Sequence, residues 1–161
     1  MTEALIGLGG NLGDVAATIE AALAHLAAGG ARVVARSSNW RTPPWGKTDQ
    51  PAFVNACVLV ETDLGPRALL ELCLATETAL GRRRAEKWGP RPIDLDVLDH
   101  GGREIVEPGL TLPHPHLTER AFVLVPLAEI VPERIVAGAR VRDHLAKVDA
   151  GGVERIAAPD Q

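Results

Sequence analysis

Ile93-Asp94-Leu95-Asp96-Val97-Leu98 alternates apolar and acidic side chains, then closes on two apolar ones. Alternation is the period of a β-strand, whose successive side chains point to opposite faces. Asp94 and Asp96 then share one face, while Ile93, Leu95 and Val97 turn the other way into a core. Two rises of about 3.3 Å set the carboxylates roughly 6–7 Å apart, a spacing that suits one or two hard cations. Just upstream, Arg82, Arg83, Arg84, Lys87 and Arg91 crowd into a short stretch, with Gly89-Pro90 as a hinge before the acids. Taken singly, a D-x-D pair on an edge strand reads as solvated surface and a basic run as a solvated loop. Side by side, they suggest a metal-bridged polyphosphate.

The rest of the chain supplies the partners of that strand, which is predicted over residues 93–99. Residues 4–8 read as a buried strand, broken by Gly9-Gly10-Asn11-Leu12-Gly13. Asp14 can open a helix whose apolar face is Val15, Ile19, Ala22, Leu23 and Leu26, and Gly29-Gly30 ends it. A second strand is expected over 32–38, then a loop over 41–51, then a long strand over 53–61. Gly65-Pro66 starts a second helix, since proline is tolerated in a first turn, and Gly81 stops it. Gly101-Gly102 reads as a hairpin turn into Glu104-Ile105-Val106. Residues 119–130 read as mainly helical, interrupted at Pro126, and the tail after Ala150 as frayed. The order strand, helix, strand, strand, helix, strand is the β-α-β-β-α-β pattern of ferredoxin-like α+β folds, with an added C-terminal hairpin and helices. That scaffold hosts many functions and decides none.

Composition narrows the classes. At 161 residues, 46% hydrophobic and 24% charged, the chain reads as one globular domain with a core of its own. A net charge of −4 argues against a broad nucleic-acid footprint, as does the 3% aromatic content. Cys57 and Cys73 sit in apolar segments without C-x-x-C spacing and are expected to be reduced core residues of a cytoplasmic protein. Met1-Thr2-Glu3-Ala4 carries no basic leader, and no apolar run approaches membrane-spanning length.

Other residues point to small-molecule chemistry. Glu77 falls on the apolar stripe of the second helix with Leu70, Cys73 and Leu80, where a carboxylate needs a partner or a ligand. A salt bridge to a nearby arginine would satisfy it equally well. On the strand from Phe53, Phe53, Asn55 and Cys57 share a face. That sets an aromatic ring beside an amide, which would suit a flat heterocycle or be simply a core pair. Thr42-Pro43-Pro44 is stiff and holds backbone groups in fixed places. His114 and His116 flank Pro115, but no third soft ligand has a suggestive spacing, so a phosphate contact by His114 is favoured over zinc. The glycines at 9, 10 and 13 lack both the P-loop ending and G-x-G-x-x-G spacing.

Gly9-Gly10-Asn11, Arg41-Thr42-Pro43-Pro44, Asp49-Gln50-Pro51, Phe53-x-Asn55-Ala56, Gly81-Arg82-x-Arg84, Trp88-Gly89-Pro90-Arg91, Asp94-x-Asp96, Pro113-His114 and Arg120-x-Phe122 follow one another from about residue 4 to 132. In these the chain resembles the 6-hydroxymethyl-7,8-dihydropterin pyrophosphokinases of the folate pathway, which move pyrophosphate from ATP to a pterin alcohol. The resemblance implies two Mg²⁺ ions on Asp94 and Asp96. It places Arg82 and Arg91 on the ATP phosphates, with catalytic weight, and Arg84, Trp88, His114 and Arg120 along the nucleotide. Glu77 and the backbone of Val97 and Leu98 would border adenosine. The pterin would lie between Phe53 and Phe122, its edge read by Asn55 and by the backbone around Thr42, Pro43, Pro44 and Trp45. The loops around Gly46 and Gly89 would serve as lids. Phe53 stands where members often carry Tyr, Pro115 where some carry Tyr, and Trp45 where a smaller apolar residue is usual. The expected partners are the two small molecules alone, with no nucleic acid, no membrane and a monomeric chain. A non-catalytic nucleotide sensor and an RNA-binding domain are the rival classes. The first leaves the Phe53–Asn55 pair without a use, and the second lacks its aromatic motif.

Overall fold

Strand β1 (Thr2–Gly10) lies at the centre of the molecule because both of its edges are paired. The computed structural model describes residues 1–42, 51–81 and 92–156. From β1 the chain runs through α1 (Val15–Ala28), β2 (Ala31–Arg36), β3 (Trp40–Thr42), β4 (Phe53–Thr62), α2 (Pro66–Ala79) and β5 (Asp94–His100). It continues through β6 (Ile105–Glu107), β7 (Leu110–Leu112), a 3₁₀ turn (Leu117–Glu119), α3 (Ala121–Ile130), β8 (Ile135–Val136), β9 (Ala139–Arg140), α4 (Val141–Leu145) and β10 (Glu154–Arg155). The main sheet has the order β10-β3-β4-β1-β5, with β2 also on β4, and every pairing is antiparallel. This is the ferredoxin-like β-α-β-β-α-β arrangement, followed by hairpins and helices.

Helix α1 forms as its sequence dictates. Asp14 caps it, with Oδ1 accepting the Ala17 N–H at 3.2 Å, and Val15, Ile19, Ala22, Leu23 and Leu26 are its buried face. The buried face of α2 is Pro66, Leu69, Cys73, Thr76 and Glu77, so Leu70 and Leu80 are only partly covered. The expected stripe is thus turned by about one position. That rotation lets Thr76 accept from His25 Nδ1 at 2.7 Å on α1 while giving its own proton to the Leu72 carbonyl at 2.8 Å.

Four expectations need correction. The second strand is broken: β2 ends at Arg36, and Trp40–Thr42, the last two of them expected in a loop, form β3 on the same edge of β4. Across the break the Ser37 N–H donates to the Cys57 carbonyl and the Cys57 N–H to Ser37 Oγ, both at 2.9 Å. A hydroxyl therefore stands in for one rung of the ladder. Gly101 and Gly102 do turn at positive φ (60° and 75°), but β6 pairs with β7 rather than back onto β5. The outer edge of β5 is already engaged, by Glu77 at the Leu95 N–H and by the His114 N–H at the Leu98 carbonyl. Helix α3 runs through Pro126 without interruption, although proline cannot donate to the carbonyl one turn back. The tail is not frayed over 154–156: β10 pairs with β3, and the Ile156 N–H donates to the Asn39 carbonyl at 2.9 Å.

Two cores result. Ile6, Leu8, Val58, Val60, Ile93, Leu95 and Val97 pack under α1 and α2. Leu5, Cys57, Leu59, Leu98, Val123, Leu124 and Leu127 pack under α3 and α4. Both cysteines are buried and free, and burial, more than nearby carboxylates, pushes the Cys73 thiol up to about 12 and the Cys57 thiol up as well. Among the described residues no helix is long and apolar enough to cross a membrane.

Candidate active site

The site lies on the sheet face opposite α1 and α2, where strand alternation turns the polar residues outward. Gly7 on β1 stands between Cys57 on β4 and Asp96 on β5, and Gly9 stands between Asn55 and Asp94. Cross-strand partners in an antiparallel sheet share a face. Two rows therefore run across three strands, Cys57–Gly7–Asp96 and Asn55–Gly9–Asp94. The glycines keep the middle of each row low. A Cβ on Gly9 would fall 2.3 Å from Asn55 Oδ1, so no larger residue fits without moving that amide. The extra residue of β5 at the register shift is Leu98, whose side chain closes the inner end against Leu5 and Cys57.

This floor opens into a cleft of about 770 Å³. Thr42, Phe53, Asn55, Glu77, Asp94, Asp96, His114, Arg120 and Phe122, drawn from distant parts of the chain, all line it. At one end the buried Asn55 donates through Nδ2 to Thr42 Oγ1 at 3.0 Å, with Phe53 and Phe122 nearby. Arg120 sits with its guanidinium carbon 5.6 Å from the Phe122 ring centroid, a cation–π distance. Asn11, buried at the end of β1, donates to the Pro51 carbonyl at 3.1 Å and so ties down the chain where it re-enters β4.

The other end is polar. Glu77 is 4% exposed, and its Oε2 accepts the Leu95 N–H at 2.7 Å. The partner that a buried carboxylate requires thus includes an edge-strand amide, which also shields that edge from further pairing. His114 is held by its backbone N–H on the Leu98 carbonyl, and its Nδ1 accepts the His116 N–H at 3.2 Å. That bond leaves Nε2 as the N–H donor of the neutral ring. Burial lowers the His114 pKa, opposed by Asp96 and helped by Arg120 and His116, and so favours the neutral ring.

Val97 does not line the cleft. Its side chain is in the helix-side core, and only its backbone is left for a ligand. Pro43, Pro44, Trp45, Arg82, Arg84, Trp88 and Arg91 lie outside the described residues, as do the loops around Gly46 and Gly89. Gly7 and Glu119 line the cleft without having been marked as site residues in the sequence, and His116, considered with His114 as a metal pair, lines it too. Gly7 had a legible signal, two glycines two residues apart on one strand. Glu119, on the 3₁₀ turn with its Oε2 3.4 Å from His116 Nδ1, had none. Among the described residues no group of three or more His, Cys, Asp or Glu gathers as a metal site. The Asp94–Asp96 pair over a glycine floor suits a hard cation that keeps several waters, as Mg²⁺ does.

The model of the family described as 7,8-dihydro-6-hydroxymethylpterin-pyrophosphokinase (HPPK) matches residues 5–132. The chain belongs to this family. It is 55% identical over 157 residues to the 2-amino-4-hydroxy-6-hydroxymethyldihydropteridine pyrophosphokinase of Methylorubrum extorquens, covering 97% of this chain and 99% of that one. It is 41% identical to the Synechocystis enzyme of the same name, covering 96% and 80%. Among solved structures, the wild-type Plasmodium falciparum HPPK-DHPS with SDX-DHP superposes with a TM-score of 0.72 at 15% identity, over 98% of this chain and 48% of that one. The chain thus spans about half of that bifunctional protein, and at this identity the likeness establishes the fold. As a family member the chain is an ATP-dependent pyrophosphokinase of folate synthesis.

Proposed function

We propose that the chain transfers the terminal diphosphate of ATP to the hydroxymethyl group of 6-hydroxymethyl-7,8-dihydropterin, with two Mg²⁺ ions, giving the pterin diphosphate and AMP. The observation that carries this reading is the Asn55–Gly9–Asp94 row. It sets an amide that can read a heterocycle edge on the same floor as a carboxylate that can hold a cation. A substrate whose ring lay over Asn55 would have its hydroxymethyl arm directed along the glycine floor toward Asp94 and Asp96.

In this reading Phe53 and Phe122 take the two faces of the pterin, while Asn55 and the backbone from Thr42 through Pro43, Pro44 and Trp45 take its edge. Stacking and edge bonding hold the alcohol still and remove translational freedom before reaction. Bound Mg²⁺, held by Asp94 and Asp96, would lower the pKa of the alcohol and offset phosphate charge. The hydroxyl oxygen forms a bond to the β-phosphorus, the bond from that phosphorus to the α-phosphate oxygen breaks, and the electron pair leaves with AMP. Asp96 is the candidate acceptor of the hydroxyl proton. Arg82 and Arg91 stabilise charge on the equatorial oxygens, with Arg84, Trp88 and Arg120 along the nucleotide. His114 donates from Nε2 to a phosphate oxygen. Glu77 and the backbone of Val97 border the adenosine.

We further place the protein in the cytoplasm as a monomer acting on these two small molecules, a reading that rests on its two buried free thiols and net charge of −4. The test is AMP release from ATP with and without the pterin alcohol and with and without Mg²⁺. AMP should appear only with all three present, in step with pterin diphosphate. Release of ADP and phosphate, or AMP formation indifferent to the pterin, would overturn the assignment.

A further inference from the structure

A second convergence of polar groups lies outside the cleft, at the far end of α3. Glu129 stands in the last turn of that helix. Its Oε1 accepts the Ser38 N–H at 2.9 Å and the Trp40 Nε1–H at 3.0 Å, and its Oε2 accepts the Ser38 hydroxyl at 2.7 Å. Bonds to an ionised acceptor are the strong kind. Burial alone would push the Glu129 carboxyl up, but the Ser38 and Trp40 donors and the charge of Arg155 together hold it below its ordinary value. Arg155 belongs to β10 and pairs opposite Trp40. Three elements therefore meet at one carboxylate: α3, β3 and the C-terminal strand, which lies beyond residues 5–132 that the family model matches.

What these elements carry gives the convergence its meaning. Helix α3 begins beside Phe122, and β3 ends at Thr42, which holds the Asn55 amide. Phe122 and Thr42 both line the cleft, with Phe53 and Asn55. Strand β3 is only three residues long and is cut off from β2 by the break at Ser37, so a ladder alone holds it weakly. The contacts of Glu129 fall on that break and on Trp40, two residues before Thr42.

We propose that Glu129 is a positioning residue for the heterocycle: by tying the end of α3 to Ser38 and Trp40 it sets the separation between Phe122 and Thr42. This rests on reading that end of the cleft as the pterin pocket. Glu129 touches neither substrate. Its effect is on how well Phe122 and Thr42 together fit a flat ring, and it should leave the acidic pair and the nucleotide end unchanged.

The test is steady-state kinetics on the full chain, with KM for each substrate and kcat measured separately for wild type, Glu129→Ala, Glu129→Gln, Trp40→Phe and Phe53→Ala. Glu129→Ala should raise the KM for the pterin alcohol about tenfold, with the KM for ATP and kcat held within about twofold. Glu129→Gln keeps the shape and one acceptor oxygen and should recover most of that loss. Trp40→Phe should give a smaller rise that adds little on top of Glu129→Ala, because both cut the same link. A lowered melting temperature and active fraction with both KM values unmoved would reduce Glu129 to a stabilising contact and overturn the proposal. Should Glu129→Ala fail to fold, Trp40→Phe and Glu129→Gln carry the test, and an unmoved pterin KM in both overturns it. Phe53→Ala separates the layers. If it leaves the pterin KM unchanged, the pocket assignment falls and takes this proposal with it. If it raises that KM while the Glu129 and Trp40 variants do not, only the positioning role fails.

Discussion

On the face beneath α1 and α2, strands β1, β4 and β5 contribute Ala4, Ile6, Leu8, Ala56, Val58, Val60, Leu95 and Val97, all buried. On the other face the same strands contribute Leu5, Cys57, Leu59 and Leu98 at one end, and Gly7, Gly9, Asn55, Asp94 and Asp96 at the other. Two helices cover the first face along its length, whereas α3 covers only part of the second. Where cover ends, carboxylates can stay hydrated, and their desolvation cost does not arise. One strand can therefore hold stability on one side and chemistry on the other, with a single residue step between them.

The sharpest way to break this contrast is to change neighbours. Asp94→Ala should lower turnover by about three decades or more, on the order of 4 kcal/mol of transition-state stabilisation, and leave thermal unfolding nearly unchanged. Assays of AMP release beside melting curves check both halves. Near-normal turnover in saturating Mg²⁺ would remove Asp94 from the site. Ile93→Ala, one residue away and 0% exposed, should do the reverse. It should cost about 2–5 kcal/mol in denaturant unfolding while both KM values stay those of wild type.

Within the open face, the aromatic and acidic ends should also separate. Phe53→Ala, Phe122→Ala or Asn55→Ala should weaken pterin binding by about 1–3 kcal/mol, the scale of ring stacking or of an unpaired buried amide, and leave ATP binding alone. Calorimetry with each ligand decides this, and loss of ATP affinity in Phe53→Ala would show the two ends assigned the wrong way round. Gly9→Ala should act like a milder Asn55 variant, raising the pterin KM several-fold, because its Cβ must displace Asn55 Oδ1 from 2.3 Å. Gly7→Ala meets only the Leu98 side chain, at 3.5 Å, and should be better tolerated.

The smallest expected effect is a pH dependence. The Glu129 pKa is depressed below its ordinary value of 4.5, so the stabilisation it gives is complete above that value and lost as pH falls through the depressed one. The melting temperature of wild type should exceed that of Glu129→Gln at neutral pH, and the gap should close in acid below about pH 4.5. A gap that stayed constant into acid would mean the contacts hold without the charge.

Much of this was legible in the chain itself. The alternation at 93–98, the helical stripe from Val15 to Leu26, the Asp14 cap and the Gly65-Pro66 start are each encoded within a few residues, where propensity and period act directly. The same period put Asp94 with Asp96 and Phe53 with Asn55 on shared faces before any partner strand was known. The reading of α2 slipped by one position because Leu69 and Leu70 satisfy helical spacing about equally, and only contact with β5 and α1 chooses between them.

Tertiary structure decided the rest, because those features have no local signal. Glu77 meets Leu95 across 18 positions, and Ser38 meets Glu129 across 91. The short strands β3 and β10 exist only because β4 and β3 offer them edges. A three-residue strand has too few side chains to display a period, so pairing and not propensity creates it. The glycine floor likewise took its meaning from register: Gly7 and Gly9 became a site only once Asn55, Asp94 and Asp96 were set against them across two strands.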